Sequence, residues 1–106
     1  MAVKLDGTVW AWGLNTFGRL GDGTTTERRT PVQVLTAAAT PLTGVSAVAV
    51  GDLHSLALKS DGTVWAWGRN ANGRLGDNSL VDRLYAVQVW SGAIAIGAGA
   101  HHSLAV

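Results

Sequence analysis

An eight-residue stretch, Asp6-Gly7-Thr8-Val9-Trp10-Ala11-Trp12-Gly13, returns unchanged as Asp61-Gly62-Thr63-Val64-Trp65-Ala66-Trp67-Gly68, fifty-five positions later. From Asp6 to Val34, 18 of 29 positions match their partners. Identity at a period near fifty is the mark of stacked copies of one unit, as in propeller blades or solenoid turns. Each copy opens with Asp-Gly, a dipeptide suited to a two-residue type I′ hairpin turn. In the adjoining strand, alternation puts Trp10 and Trp12 (Trp65 and Trp67) on one face and Val9 and Ala11 (Val64 and Ala66) on the other. Both faces are apolar, so both must be covered, which a lone hairpin cannot do. The chain has to stack sheets.

After the tryptophans, Asn15 to Gly23 and Asn70 to Asn78 read as tightly turned loops, with Leu20 and Leu75 as apolar pins. Thr24 to Thr30 and Ser79 to Tyr85 diverge between the copies and lead into short strands at Pro31 to Val34 and Ala86 to Val89. The copies then differ in length: Leu35 to Gly44 is ten residues and Trp90 to Gly92 is three. The longer connection is read as a surface loop with room for one helical turn at Ala37-Ala38-Ala39. Val45 to Gly51 is answered by Ala93 to Gly99, and His54 to Lys59 by His102 to Val106. Within His54 to Lys59, Leu56 and Leu58 share a face opposite Ala57.

One unit therefore has four short strands, Val45 to Gly51, His54 to Lys59, Thr63 to Gly68 and Tyr85 to Val89. Four antiparallel strands in about fifty residues, punctuated by glycine and aromatic signatures, form the blade of a β-propeller. The expected fold is all-β, with the tryptophan and leucine face of one blade filling the alanine, valine and glycine face of its neighbour. Residues 1–106 read as one repeat domain: 2–44 a partial blade with strands two to four and a linker, 45–92 a complete blade, and 93–106 the start of a third. About two blades cannot close a ring, so closure requires oligomerisation or further repeats. Segment 93–106 is complementary to the partial blade of another copy; three copies give six blades and four give eight, whereas a contact that fails to close gives a filament.

Composition narrows the function classes. A net charge of +1 with 14% charged residues leaves no phosphate-neutralising stripe, so nucleic acid is not an expected partner. With no cysteine, there is neither a disulfide frame nor a thiolate metal site. The longest run free of both charged residues and histidine, Thr30 to Gly51, is broken by Pro31, Pro41, Gly44 and several hydroxyl residues and does not read as a membrane span. The N-terminus shows no basic patch leading into an apolar segment.

Chemistry-bearing residues have structural readings. Asp6 and Asp61 belong to the turns and Asp22 and Asp77 to loop caps; their spacing lacks the ligand series of a calcium loop. No phosphate-cradling glycine motif is present, and no nucleophile, base and orienting group can be assembled, so no catalytic, metal or cofactor site is expected. Trp10, Trp12, Trp65, Trp67, Leu56, Leu58, His54 and His102 are read as packing residues, with the two histidines bonding the corner backbone. His101 has no histidine counterpart and is read as exposed. Arg28, Arg29, Arg83 and Tyr85, in the divergent loop, and the unrepeated Trp90 at a strand exit are the candidate partner-binding residues, since Tyr, Trp and Arg are enriched in binding hot spots.

The pattern Asp-Gly-Thr-Val-Trp-Ala-Trp-Gly-x-Asn-x-x-Gly-x-Leu-Gly-Asp, together with the later Gly-x-x-His-Ser-Leu-Ala-Leu, resembles the repeats of the regulator of chromosome condensation family over essentially the whole chain. Arg19 and Arg74 stand where that family commonly has glutamine. The resemblance implies a β-propeller, typically seven-bladed, that acts through surface loops. The family's nucleotide-exchange residues lie outside the repeat consensus, and none maps onto this sequence. The compact Trp-Ala-Trp-Gly style also resembles a bacterial propeller that inhibits β-lactamases through loops on one face. The expected function is a non-enzymatic scaffold for protein interaction that assembles with itself by blade stacking. The alternatives are a carbohydrate- or small-molecule-binding propeller, and a piece of a larger propeller with regulatory loops.

Overall fold

The corner before each tryptophan strand sets that strand's register against its neighbour. The structure, a computed structural model, describes residues 1–70, 75–77, 79, 81–99 and 103–105. Its strands are β1 (Ala2–Val3), β2 (Val9–Gly13), β3 (Arg28–Gln33), β4 (Leu35–Ala37), β5 (Thr40–Pro41), β6 (Val45–Val50), β7 (His54–Lys59), β8 (Val64–Gly68), β9 (Arg83–Trp90), β10 (Ile96–Ala98) and β11 (Ser103–Ala105). They form antiparallel sheets β1-β2-β3 and β6-β7-β8-β9 and the pairs β10-β11 and β4-β5. Among the described residues there is no α-helix.

At the first corner Gly7 N–H donates to Lys4 O and Lys4 N–H to Thr8 O, both at 2.9 Å. Gly7 and Gly62 have φ of +82° and +87°, but Asp6 and Asp61 do not enter the positive-φ region. The type I′ turn expected from Asp-Gly is therefore not formed. A three-residue loop ends instead with glycine at the left-handed bulge position. The aspartate side chain explains the choice: Asp6 Oδ1 accepts from Thr8 N–H at 3.1 Å and from Thr8 Oγ1 at 2.7 Å. Trp10 Nε1–H then donates to Thr8 Oγ1 at 3.0 Å, with Lys4 Nζ 5.3 Å from its ring centre. Lys59, Asp61, Thr63 and Trp65 repeat the arrangement.

Register also decides which residues share a face. Leu56 pairs with Ala66, Ala57 with Trp65 and Ser55 with Trp67. Directly opposed residues point to the same side of an antiparallel sheet. Leu56 and Leu58 therefore join Val64 and Ala66, while Trp65 and Trp67 lie on the other face with Ala57. The shared tryptophan and leucine face expected from the sequence does not exist. Alternation within a strand is local, whereas matching of faces between strands needs the register that the turn supplies.

Two cores result, one at each junction. The first joins Val9, Ala11, Leu20 and Val34 of the β1-β2-β3 unit to Ala57, Trp67 and Ala86 of the four-stranded sheet. In the second, Leu56, Leu58, Val64, Ala66 and Leu75 meet Ala93, with Ile96 and Ala98 packed against them. The aliphatic face of one sheet thus receives the next unit, as in consecutive propeller blades.

The long connection corrects a third expectation. Residues 35–41 form the β4-β5 hairpin, with Ala39 at φ +59°, and the helical turn at Ala37-Ala38-Ala39 is not present. Three alanines are too few to nucleate a helix, and Thr36, Thr40 and Pro41 favour extended backbone. Its tip is exposed, but Leu42 is buried in the first core and donates its N–H to Val34 O at 2.9 Å. The insertion is thus a surface hairpin with an internal anchor.

Candidate functional site

The loops between tryptophan strand and outer strand are built around a buried asparagine. Asn15 Oδ1 accepts from Leu20 N–H at 2.9 Å, and its amide nitrogen lies 2.9 and 3.0 Å from Thr24 O and Thr26 O. Asp22 accepts from Thr24 Oγ1 at 2.7 Å and, through its other oxygen, from Arg28 Nε at 3.0 Å. Asn70, Asp77, Ser79 and Arg83 repeat the clasp, with Asn70 Oδ1 on Leu75 N–H at 3.0 Å and Arg83 Nε on Asp77 at 2.7 Å. Sequence reasoning passed over both asparagines; their signal was identity in both copies at a fixed distance before an identical aspartate and arginine. Arg28, Arg29 and Arg83 sit on the outer strands β3 and β9 and not in a loop, these strands starting earlier than composition suggested, and Tyr85 lies within β9, in keeping with a strand from Tyr85 to Val89.

Burial pushes Asp77 up, but hydrogen bonds from Arg83, Ser79 and Asn70 outweigh it and hold the carboxyl at about 2, against an ordinary value of 3.8. Asp22 is lowered in the same way, its hydrogen bonds from Thr24, Arg28 and Asn15 overcoming burial. A depressed folded-state value gives stability that is complete above the unfolded value and lost as pH falls through the folded one. Denaturant midpoints are therefore expected to fall between pH 4 and pH 2. In Asp77→Asn this fall is expected to be shallower; an unchanged slope would remove Asp77 as its source.

The loop also receives the neighbouring blade. Trp67 is fully buried, its Nε1–H donates to Arg19 O at 3.0 Å, and it lies against Gly21. A Cβ at Gly21 would stand 2.9 Å from both Trp67 Nε1 and Val34 Cγ1, so only glycine admits the indole. Leu84 and Tyr85 of β9 rest against Gly18 and Gly23 of the same loop. The Arg69 guanidinium lies 4.6 Å from the Phe17 ring centre. Trp12 occupies the register position of Trp67 in the first copy and is 47% exposed.

Trp10 and Trp65 are half-buried, and Leu56, Leu58 and His54 are buried. His54 Nε2 lies 3.1 Å from Ser103 Oγ and ties β7 to β11. His101 and His102 lie outside the described residues. Arg29 is exposed, and Trp90, 61% exposed, borders a shallow groove with Gln88, Val89 and Ser91. Among the described residues no cluster of three His, Asp or Glu side chains could hold a metal ion, and no helix is long and apolar enough to cross a membrane.

Known proteins resemble this chain in sequence and in fold. The "Ultraviolet-B receptor UVR8" of Arabidopsis thaliana is 38% identical over 104 residues, which is 92% of this chain and 22% of that protein. "Protein RCC1" of Candida albicans is 31% identical over 133 residues, covering 99% of this chain and 27% of the relative. Human "Probable E3 ubiquitin-protein ligase HERC4" is 38% identical over 78% of this chain and 8% of its own length. The chain thus spans about a quarter or less of these relatives. Among solved structures, human WBSCR16 superposes with a TM-score of 0.79 at 23% identity over 97% of this chain and 27% of its own, and Prp20p of Saccharomyces cerevisiae with 0.77 at 23% over 100% and 28%. Both are similar in fold. The "Regulator of chromosome condensation (RCC1) repeat" profile matches residues 6–58 and 61–106, with a second form of it on 45–74. With its two Trp-Ala-Trp-Gly strands, clasped loops and blade-on-blade cores, the chain belongs to the family of RCC1-repeat β-propeller proteins.

Proposed function

We propose that the chain is a non-enzymatic scaffold for protein interaction that assembles with itself through blade stacking. The observation that carries this reading is exposed apolar surface. Seven large hydrophobic side chains are exposed among the described residues, and three of them, Trp12, Leu14 and Val50, line one surface pocket together. Exposed apolar patches on a small chain mark sites for a macromolecular partner. Propellers of this repeat are typically protein-interaction modules. Yeast Prp20p is described with its binding to Gsp1p and histones, and yeast RCC1 (Prp20) has been seen bound to Kap60, which supports protein as the partner class. Arg29, Tyr85 and Trp90 are the rim residues put forward for outside partners, Arg28 and Arg83 offering only the guanidinium face left by their aspartates. Residues 2–44, 45–92 and 93–106 serve as the partial, complete and beginning blades, and three or four copies make a ring. Light scattering on a size-exclusion column tests the assembly: a multiple of the 11.0 kDa chain mass is expected, and a folded monomer at every concentration would defeat it.

A second reading rests on Trp90, whose exposed ring beside Gln88 and Ser91 has the mixed apolar and polar character of a sugar platform. Glycan-array binding that is lost in Trp90→Ala would favour it, and a silent array would remove it.

A further inference from the structure

The chain contains one blade junction in full and a second without the counterpart of the first one's largest side chain. In the first, Trp67 fills a socket lined by Gly21 and Val34. Moved forward by the repeat, those positions are Gly76 and Val89. There a Cβ on Gly76 would meet nothing within 4 Å among the described residues, although its φ of +75° matches the +73° of Gly21. The backbone is shaped for the same close approach, and no side chain of a described residue lies on it as Trp67 lies on Gly21. In its place is an apolar groove of about 160 Å³, lined by Val64, Leu75, Gly76, Val89, Ser103 and Ala105 together with Leu56 and Trp90.

Strand register says what fits. In the complete blade Trp67 is paired with Ser55, and Trp65 with Ala57. The counterparts of Ser55 and Ala57 forty-eight residues on are Ser103 and Ala105, the two β11 residues that line the groove. A strand with the sequence Val-Trp-Ala-Trp laid on the edge of β11 away from β10 would put its second tryptophan opposite Ser103, in the groove. This chain presents such a strand: β2, whose Trp12 is 47% exposed where Trp67 is fully covered. The only strand on the matching edge of β2 among the described residues is the two-residue β1, paired as Ala2 with Trp10 and Val3 with Val9. In sequence Ala105-Val106 repeats the type and order of Ala2-Val3, and Ala105 of β11 stands where Ala2 stands in β1, so β11 can take the place of β1.

We propose that a second copy of this chain docks head to tail by inserting its Trp12 into the groove between β8, β9 and β11, with its β2 pairing to β11 in exchange for its own β1. The strands β10 and β11 of one copy and β2 and β3 of the next then make one four-stranded blade. The contact joins two different surfaces, so every chain of copies keeps one open knob and one open socket until a ring closes. Arg29 and Thr30 stand where Leu84 and Tyr85 seal the internal junction, so the contact between copies rests on Trp12 more heavily than the internal one rests on Trp67.

This inference rests on the self-assembly reading, and the two can fail separately. Trp12→Ala removes the knob. Ala105→Trp obstructs the groove from an exposed position, so both variants are expected to keep the wild-type circular dichroism spectrum. Each alone is expected to run at the mass of one chain under conditions where the wild type is a multimer. Mixed in equal amounts, they are expected to give a species of two chains and nothing larger, because the knob of Ala105→Trp enters the socket of Trp12→Ala and the other two ends are blocked. A wild-type monomer would defeat self-assembly itself. A wild-type multimer with either folded variant assembling normally, or a mixture that stays monomeric, would overturn the head-to-tail contact alone.

Discussion

Replacing Trp67 with alanine is expected to lower the unfolding free energy by about 3–5 kcal/mol, the range for deleting a large aromatic from a closed core. Small domains are stable by roughly 5–15 kcal/mol, so about a fifth or more of the total would go. The indole is the largest fully buried side chain among the described residues and makes three kinds of contact at once: its rings pack with Val9, Ala11 and Val34, its edge lies on Gly21, and its N–H satisfies Arg19 O. Truncation leaves both a cavity and a carbonyl without its donor, and the loop cannot collapse inward while Asn15 holds Leu20 N–H. Trp12→Ala supplies the comparison. At concentrations where the chain is monomeric it is expected to cost under about 1 kcal/mol, since a half-exposed ring loses little transfer energy. Urea unfolding monitored by circular dichroism measures both, and equal costs would refute the difference in environment between these two repeat-equivalent residues.

The second large effect is expected at Asn70. Alanine there is expected to cost on the order of 3 kcal/mol, because several polar groups lose their partner together. Leu75 N–H is buried and left without an acceptor, and Ser79 O and Asp77 Oδ1 each lose a donor. Asn70 N–H also donates to Asp82 Oδ1 at 2.8 Å, a backbone bond that alanine retains, which should keep the loop entrance in place. Since the groups act as one network, the Asn70→Ala and Asp77→Ala costs are expected to overlap, the double variant losing less than their sum. Strict additivity in a double-mutant cycle would mean that the clasp is a set of independent bonds.

These two positions show what was legible in the chain. Trp67 could be read as a blade-packing residue because it recurs in an apolar strand, and the all-β propeller fold came from that period together with the four short strands in each unit. Asn70 could not, since a buried amide looks like any loop asparagine until Leu75 N–H and Ser79 O are brought to it by folding. The face shared by Leu56 and Ala66 was misread for a related reason: pairing across β7 and β8 is non-local, while alternation along each is local. Asp6 suggested the wrong turn because the dipeptide rule weighs backbone preference, and its carboxylate instead finds Thr8. Trp90 was legible as a candidate contact residue from its lack of a partner in the other copy, whereas its exposure and the commitment of Arg28 and Arg83 to aspartates were visible only once the chain was folded.

The β4-β5 hairpin explains why two rulers laid along this chain disagree. The tryptophan motifs recur every fifty-five residues, but the His-Ser-Leu-Ala motifs recur every forty-eight. The discrepancy is seven residues, the excess of Leu35 to Gly44 over Trp90 to Gly92. Chain of this sort can lengthen cheaply, since each doubling of a flexible loop costs only about 0.6 kcal/mol, provided that something re-enters the core at the right place. Leu42 does so here, which makes the hairpin tip at Ala38 and Ala39 a tolerant point in the repeat, where new sequence can be carried without disturbing blade geometry.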